Sequence, residues 1–207
     1  MTRLKNLSLK AVTTAAVVST LGMLTAGVAA ADTTYNAAAI HRCTFPGIPQ
    51  QDVAITAFLT GPDSIPVNGT AVPTNVGGTA TISAAVHSLL TAVGYDGIRG
   101  KATVPVTAAR GSVSGPATNL DIPETIYPAG GPITVNINQD ASSTVPTYTA
   151  PATAGTDTLS LGSPITAALQ FHKASNNTWA NWNMSCTLKT TSPAQNKAFS
   201  PDFVITP

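Results

Sequence analysis

Charged side chains are scarce in this sequence, and the few that are present nearly cancel. They make up 9% of the 207 residues, against roughly 25% in typical soluble domains. The 10 basic and 9 acidic residues leave a net charge of +1, without the cationic field that attracts proteins to phosphate backbones. Nucleic acid is therefore excluded as an expected partner. Because 43% of the residues are hydrophobic, the composition also excludes a disordered chain.

Strong helix formers other than alanine are scarce too, which excludes folds that need many helices. Glutamate occurs once, as Glu124, whereas Ala, Thr, Val, Ser and Pro dominate. A Rossmann fold or a TIM barrel, in which each strand alternates with a helix, is therefore not indicated. The composition instead favours a β-rich protein.

Period-two alternation of apolar and polar residues predicts several half-buried strands. The clusters between them are typical of turns, as at Phe45-Pro46-Gly47 and Asn176-Asn177. Antiparallel sheets with one solvated face give this alternation, whereas buried parallel strands are continuously apolar. We therefore predict an all-β fold, an antiparallel two-sheet sandwich of the immunoglobulin-like type. The predicted inward residues are Val53, Ile55, Ala57 and Leu59; Ile98, Gly100, Ala102, Val104 and Val106; Ile133, Val135 and Ile137; Ile165, Ala167, Leu169 and Phe171; and Trp182, Met184, Cys186 and Leu188.

One short helix is predicted among the strands. Thr81 or Ser83 is available as its N-cap, and Gly94 follows its end. We expect the helix to cover one end of the sandwich. Apolar residues recur at helical spacing through Ile82, Val86, Leu89, Leu90 and Val93.

The first 31 residues have the pattern of a secretory signal peptide. Arg3, Lys5 and Lys10 precede an apolar run, and the small residues Ala29-Ala30-Ala31 follow it, which predicts cleavage after Ala30 or Ala31. An uncleaved membrane anchor is the alternative, but threonines and serines interrupt the run. Cleavage would remove three of the ten basic residues and none of the nine acidic ones, so the net charge would change from +1 to −2.

The predicted organisation is thus a signal peptide at residues 1–31 and a single sandwich domain at residues 32–207. The product is expected to be secreted, without stable membrane insertion after cleavage. Cys43 and Cys186 are the only cysteines. In an oxidising compartment such a pair favours a disulfide over a metal site or a nucleophile.

Sequence patterns for catalysis or metal binding are weak throughout the chain. The closest match to a nucleophile elbow, Gly111 to Gly115, has Val113 where the nucleophile belongs. The histidines are isolated except for His41 near Cys43, and the aspartates are scattered among turns. We therefore predict no catalytic residue, no metal ligands and no cofactor.

Two tryptophans are the strongest candidates for recognition, because aromatic side chains supply much of the contact energy in binding. Trp179 and Trp182 are three residues apart, so on one strand they point to opposite faces. Trp182 shares its face with Met184 and Cys186 and is expected in the core. Trp179 follows the Asn176-Asn177 turn, and we assign it as the candidate binding residue, with a hydrophobic plug at the end of the sandwich as the alternative.

Several short motifs resemble those of secreted actinobacterial domains of unknown function with an immunoglobulin-like sandwich. The resemblance implies the sandwich fold, export and the cysteine pair, but no catalytic residues. Its motifs are Cys43-Thr44-Phe45-Pro46, the turn region from Pro62 to Gly69, the stretch from Val93 to Gly100, Thr149 to Gly155, and Cys186-Thr187-Leu188.

Two functional hypotheses follow. The first is a secreted, non-enzymatic extracellular module, binding or structural, at or near the bacterial surface. Its polar but weakly ionic strand faces leave a neutral glycan or another extracellular protein as candidate partners. The alternative is an exported hydrolase, an esterase or a glycosidase, whose site is assembled from scattered polar residues.

Overall fold

The computed structural model describes residues 31–207, so the predicted signal peptide lies outside the described residues except for Ala31. No helix within residues 31–207 has the length and apolar character needed to span a membrane. The elements in chain order are β1 (Asp32–Phe45), β2 (Ile48–Pro62), β3 (Ser64–Pro66), β4 (Thr70–Ala71), β5 (Thr74–Ile82), α1 (Ala84–Ala92), β6 (Tyr95–Val104), β7 (Val106–Ala108), β8 (Ser112–Val113), β9 (Ala117–Ile126), β10 (Ile133–Asn138), β11 (Tyr148–Thr149), β12 (Gly155–Asp157), β13 (Leu159–Leu161), β14 (Ile165–Lys173), β15 (Thr178–Leu188) and β16 (Phe203–Thr206).

Eight antiparallel strands close into a barrel in the order β1-β15-β14-β6-β9-β10-β5-β2, and β2 pairs again with β1. The prediction of an all-β fold is confirmed, but the two-sheet immunoglobulin-like sandwich is wrong. The two architectures share the same inward and outward alternation, so the sequence pattern does not separate them. Closure depends on which distant strands pair, and here the first long strand pairs with the last long one.

The seam between β1 and β15 is short and carries the disulfide. The two strands pair only at His41–Cys43 with Cys186–Leu188, where Cys43 lies directly opposite Cys186. Their sulfurs are bonded, as predicted. The disulfide therefore joins two strands 143 residues apart at the point where the barrel closes.

The C-terminal segment covers part of the β1 edge that β15 leaves open, at Asn36 and Ile40. Asn36 and Ser200 exchange two backbone hydrogen bonds of 2.9 Å. The side-chain amide of Gln195 accepts from the Ile40 N–H at 2.7 Å and donates to the Ile40 carbonyl at 2.9 Å. Backbone groups that an open strand edge would leave unpaired are thereby satisfied.

Apolar side chains fill the barrel. Most of the inward residues predicted on β2, β6, β7, β10, β14 and β15 belong to the core or pack against it, but Gly100 and Leu188 do not. Among the described residues, the core leaves only small apolar cavities, one of about 50 Å³ and one of about 30 Å³. An eight-stranded barrel is just wide enough for its own side chains to fill it. The interior is therefore a packed core rather than a ligand chamber.

The predicted helix is present as α1. The Ser83 hydroxyl accepts from the Val86 N–H at 3.3 Å, which makes Ser83 the N-cap. Gly94 follows the helix with φ +92°, a conformation that favours glycine. Val86 and Leu90 face the core, whereas Leu89 and Val93 remain exposed. Part of the predicted apolar face is thus open to solvent.

Short strands from the long loops form smaller sheets beside the barrel, in the orders β4-β11-β8, β12-β16-β3 and β13-β7. Phe203 of β16 stacks on Tyr35 of β1 with ring centroids 4.1 Å apart, and Tyr148 lies 5.3 Å from Phe203. These rings attach the added sheets to the barrel core.

Candidate functional site

Trp179 lies on the outer face of the barrel at the start of β15, immediately after the turn that joins β14 to β15. Its ring is half-buried. The guanidinium carbon of Arg99 lies 4.1 Å from its ring centroid, and the His172 ring lies 4.9 Å away. Trp182 faces the opposite side, packs against the core and donates its indole N–H to the Thr44 carbonyl at 3.1 Å. The predicted opposite orientation of the two tryptophans is confirmed.

Beside Trp179, four polar side chains form a hydrogen-bonded row across four strands. Glu124 of β9 accepts from Arg99 Nη1 of β6 at 2.9 Å. Arg99 Nε donates to Gln170 Oε1 of β14 at 2.8 Å. Gln170 Nε2 donates to Asn181 Oδ1 of β15 at 2.9 Å. We call these residues the polar row. Each residue of the row is hydrogen-bonded to the next, and these bonds restrain the positions of the polar atoms that remain without a partner.

The polar row lines an open groove of about 710 Å³ on the outside of the barrel. Small residues make the depression: Ala168 lies opposite Lys101 on one side and Asn183 on the other. Gly100 sits at a bulge with φ +153°, where a Cβ would come within 2.3 Å of the Ala168 carbonyl oxygen. Only glycine fits there, so the close approach of β6 and β14 depends on it.

The charges that line the groove are paired. Lys101 Nζ lies 2.9 Å from Asp121 and 2.6 Å from Asp140, and Arg99 pairs with Glu124. The hydrogen bonds to Asp140 and Asp121 raise the pKa of the Lys101 ammonium. Asp140 accepts hydrogen bonds from Lys101, from the Ser142 hydroxyl and from the Ser142 backbone N–H. These bonds hold the pKa of Asp140 far below its ordinary value. Ionic pairing therefore persists across the neutral pH range, and the groove carries little net charge.

Residues 41–200 match the model of a protein family, DUF6801, which is described as a family of unknown function. The chain belongs to this family. The predicted resemblance to a domain of unknown function is thereby confirmed, whereas actinobacterial origin and secretion stay predictions. No curated protein and no solved structure matches the chain.

His172 is the part of this DUF6801 site that comes nearest to a catalytic arrangement. Its Nδ1 lies 2.5 Å from Asp96 Oδ1, and its Nε2 lies 2.8 Å from Asn177 Oδ1. Hydrogen bonding to Asp96 and then to Asn177 raises the pKa of the imidazole. A hydrolase with a catalytic triad has a carboxylate on one nitrogen of its histidine and a nucleophilic hydroxyl or thiol on the other. Here Asn177 occupies the position of that nucleophile. Within residues 31–207, no such group hydrogen-bonds to His172.

The other histidines serve the fold. His87 contacts the Gly131 carbonyl oxygen through Nδ1 at 2.7 Å and packs edge-on against Tyr127. His41 lies in the barrel wall, 0% exposed, and neither of its ring nitrogens has a hydrogen-bond partner among the described residues. The neighbouring Cys43 is consumed by the disulfide. In the part of the chain that the structure describes, no group of three or more His, Cys, Asp or Glu side chains is arranged to hold a metal ion.

One buried carboxylate escaped the sequence analysis. Asp157, expected in a loop, is 1% exposed and accepts from the backbone N–H groups of Arg110 and Gly111 at 2.8 and 2.7 Å. The Tyr148 hydroxyl donates to it at 2.7 Å. Burial raises the pKa of Asp157, but these hydrogen bonds outweigh burial and lower it overall. Asp157 therefore fastens the added sheets as a charged acceptor.

The sequence analysis also missed the polar row. Arg99 and Gln170 stand at outward positions of their predicted strands, but their alignment across β6 and β14 depends on the register of the barrel. One signal was available: in a chain so poor in charge, Arg99 and Lys101 fall close together on one strand face. Trp179 was selected for its residue type, and its ring lies against Arg99, an internal member of this row.

Proposed function

We propose that this member of DUF6801 is an exported, non-enzymatic module that binds an extracellular partner through the groove beside Trp179. The basic residues Arg3, Lys5 and Lys10 before an apolar run, together with the disulfide, support export.

The observation that carries the proposal is the polar row. Groups that are held in place before a partner arrives lose little conformational freedom on binding. Arg99 is restrained by Trp179, Gln170 and Glu124 together. A groove of about 710 Å³ also lies within the range of ligand-binding sites.

The same contacts favour binding over proton transfer. A general acid or base needs a pKa near the working pH, whereas Lys101 and Asp140 are shifted away from neutrality in opposite directions. Glu124 is occupied by Arg99. Lys101, Asp140 and Glu124 therefore serve recognition better than proton transfer.

A retention assay tests this function. Purified protein is passed over cell-wall polysaccharides and over immobilised secreted proteins, and is compared with Trp179→Ala. We expect retention on one of these supports, weakened about tenfold (about 1.4 kcal/mol) in Trp179→Ala, because the ring restrains Arg99 in the polar row. Val72→Ala, at an exposed apolar position outside the groove, is the matched control and should leave retention unchanged.

Two results would contradict the proposal. One is equal retention of the wild type and Trp179→Ala on every support. The other is hydrolysis of ester or glycosidic substrates by the purified protein, lost on changing a single Asp or Ser.

A further inference from the structure

We infer that the groove binds a neutral, hydroxyl-rich glycan chain that lies across strands β15, β14, β6 and β9. This inference rests on the proposed function and names its ligand class. Four features of the groove carry it: the unused hydrogen-bonding capacity of the polar row, the pairing of charges, the position of the apolar surface, and the length of the row.

The polar row has donors and acceptors left over, side by side. Arg99 has five N–H groups, of which Nε and one on Nη1 are engaged with Gln170 and Glu124. Asn181 uses its carbonyl oxygen and keeps its NH₂ group, and Glu124 keeps its second carboxylate oxygen. Among residues 31–207, no other hydrogen bond engages these atoms. Sugar hydroxyls both donate and accept, so one chain of sugars satisfies both kinds of group.

Charge cancellation selects against ionic ligands. Arg99 and Lys101 face Glu124 and Asp121 in the lining, and Asp140 adds a further carboxylate beside Lys101. A sulfated or uronic polymer gains from a net positive field, which this groove lacks. An anionic group would also compete with Glu124 for Arg99. A neutral polymer meets neither obstacle.

The apolar surface argues for a glycan over a protein partner. Protein interfaces depend on aromatic or aliphatic anchors in desolvated pockets at their centre. In the groove, the apolar side chains of Ile122 and Leu169 are buried toward the core. Trp179, with Arg99 over its ring, and exposed apolar residues such as Leu89 and Val93 lie outside the lining. The lining formed by residues 31–207 thus mixes polar groups with small apolar residues and contains no aromatic anchor, which suits a hydroxylated chain better than a protein.

The dimensions suit an extended ligand. The polar row crosses four neighbouring strands, and three strand spacings amount to about 14 Å. An elongated chain laid along the row contacts Glu124, Arg99, Gln170 and Asn181 in turn and meets Trp179 beside Arg99.

Affinity electrophoresis and calorimetry with soluble polymers test the inference. The neutral probes are starch, mixed-linkage β-glucan and galactomannan, and the acidic probes are polygalacturonate and hyaluronate. We expect at least one neutral probe to bind, and both acidic probes to bind at least tenfold more weakly. Gln170→Leu should weaken neutral binding about tenfold, because it breaks both links at the centre of the row. Gln51→Leu, outside the groove, is the matched control, and urea unfolding of each variant verifies that it is folded.

The outcomes separate this inference from the proposed function. Tighter binding of an acidic probe, or binding of neutral probes that Gln170→Leu leaves unchanged in a folded variant, would overturn the ligand class. If no neutral probe binds while immobilised secreted proteins retain the wild type but not Trp179→Ala, the ligand class fails and the binding function stands. If neither polymers nor proteins are retained, both fail.

Discussion

His41 and His172 respond to acid in opposite directions because their surroundings differ. Burial lowers the pKa of the His41 imidazole, and the charge of Lys197 acts in the same sense, while the backbone at Ala39 opposes the shift. His172 has Asp96 and Asn177 as partners, which raise its pKa. Protonation therefore opposes folding at His41 and supports it at His172.

We predict that His41 makes the fold sensitive to mild acid. Its folded pKa lies below the unfolded value of about 6.5, so stability is complete above that value and falls as the pH drops through it. Replacing the imidazole by an apolar side chain removes the titrating group. His41→Leu should therefore lose less of its free energy of unfolding than the wild type between pH 7.5 and pH 5, as measured by urea denaturation.

We predict that the His172→Gln variant shows the opposite pH dependence of the free energy of unfolding. The stabilising contribution of His172 is full below about pH 6.5 and is lost as the pH rises through its raised folded pKa. This variant should therefore be weakened more at pH 5 than at pH 9. A wild-type acid sensitivity that persists in full in His41→Leu would show that His41 is not its source.

At the scale of elements, the sequence predicted helices and turns correctly where neighbouring residues determine them. The helix α1 was predicted from its apolar spacing, and Ser83 and Gly94 take the capping positions that their residue types favour. The turn predicted at Phe45-Pro46-Gly47 connects β1 to β2, and Gly47 has a positive φ there. The Cys43 to Cys186 bond followed from the expected compartment rather than from geometry.

We predict that the disulfide supplies much of the stability of the seam. It closes a loop of 143 residues, for which chain entropy gives at most about 5 kcal/mol. The double variant Cys43→Ala with Cys186→Ala should lose several kcal/mol in urea denaturation. The oxidised protein should also be two hydrogens lighter than the reduced one by mass spectrometry. Free thiols at both positions, or equal stability of the two proteins, would contradict this role.

At the scale of the whole molecule, the sequence left the architecture undetermined. A sandwich and a barrel place the same residues inward, and the decisive pairs, such as His41 with Leu188 and Asn36 with Ser200, join distant parts of the chain. Local propensity carries no information on such pairings. The polar row was hidden for the same reason, since Arg99 and Gln170 meet only through the register of β6 and β14.

Closure also depends on close backbone approach at β5, which pairs with both β2 and β10. A Cβ on Gly78 would lie 2.1 Å from the Thr56 carbonyl oxygen, whereas nothing lies within 4 Å of one on Gly130. We predict that Gly78→Ala lowers the free energy of unfolding by about 3 kcal/mol or more, and that Gly130→Ala changes it by less than about 0.5 kcal/mol. Equal effects in thermal or urea unfolding would argue against this packing of the barrel.

The central claim, a preorganised polar row that binds a neutral glycan, is tested most directly by NMR titration of the labelled protein. Maltohexaose, cellohexaose and mannohexaose are added in turn while the side-chain amides of Gln170 and Asn181 and the indole N–H of Trp179 are followed. The account predicts that one of these sugars shifts all three signals together, and that the Trp182 indole stays unchanged. Shifts confined to α1 and its neighbours, or none with any of the sugars, would contradict it.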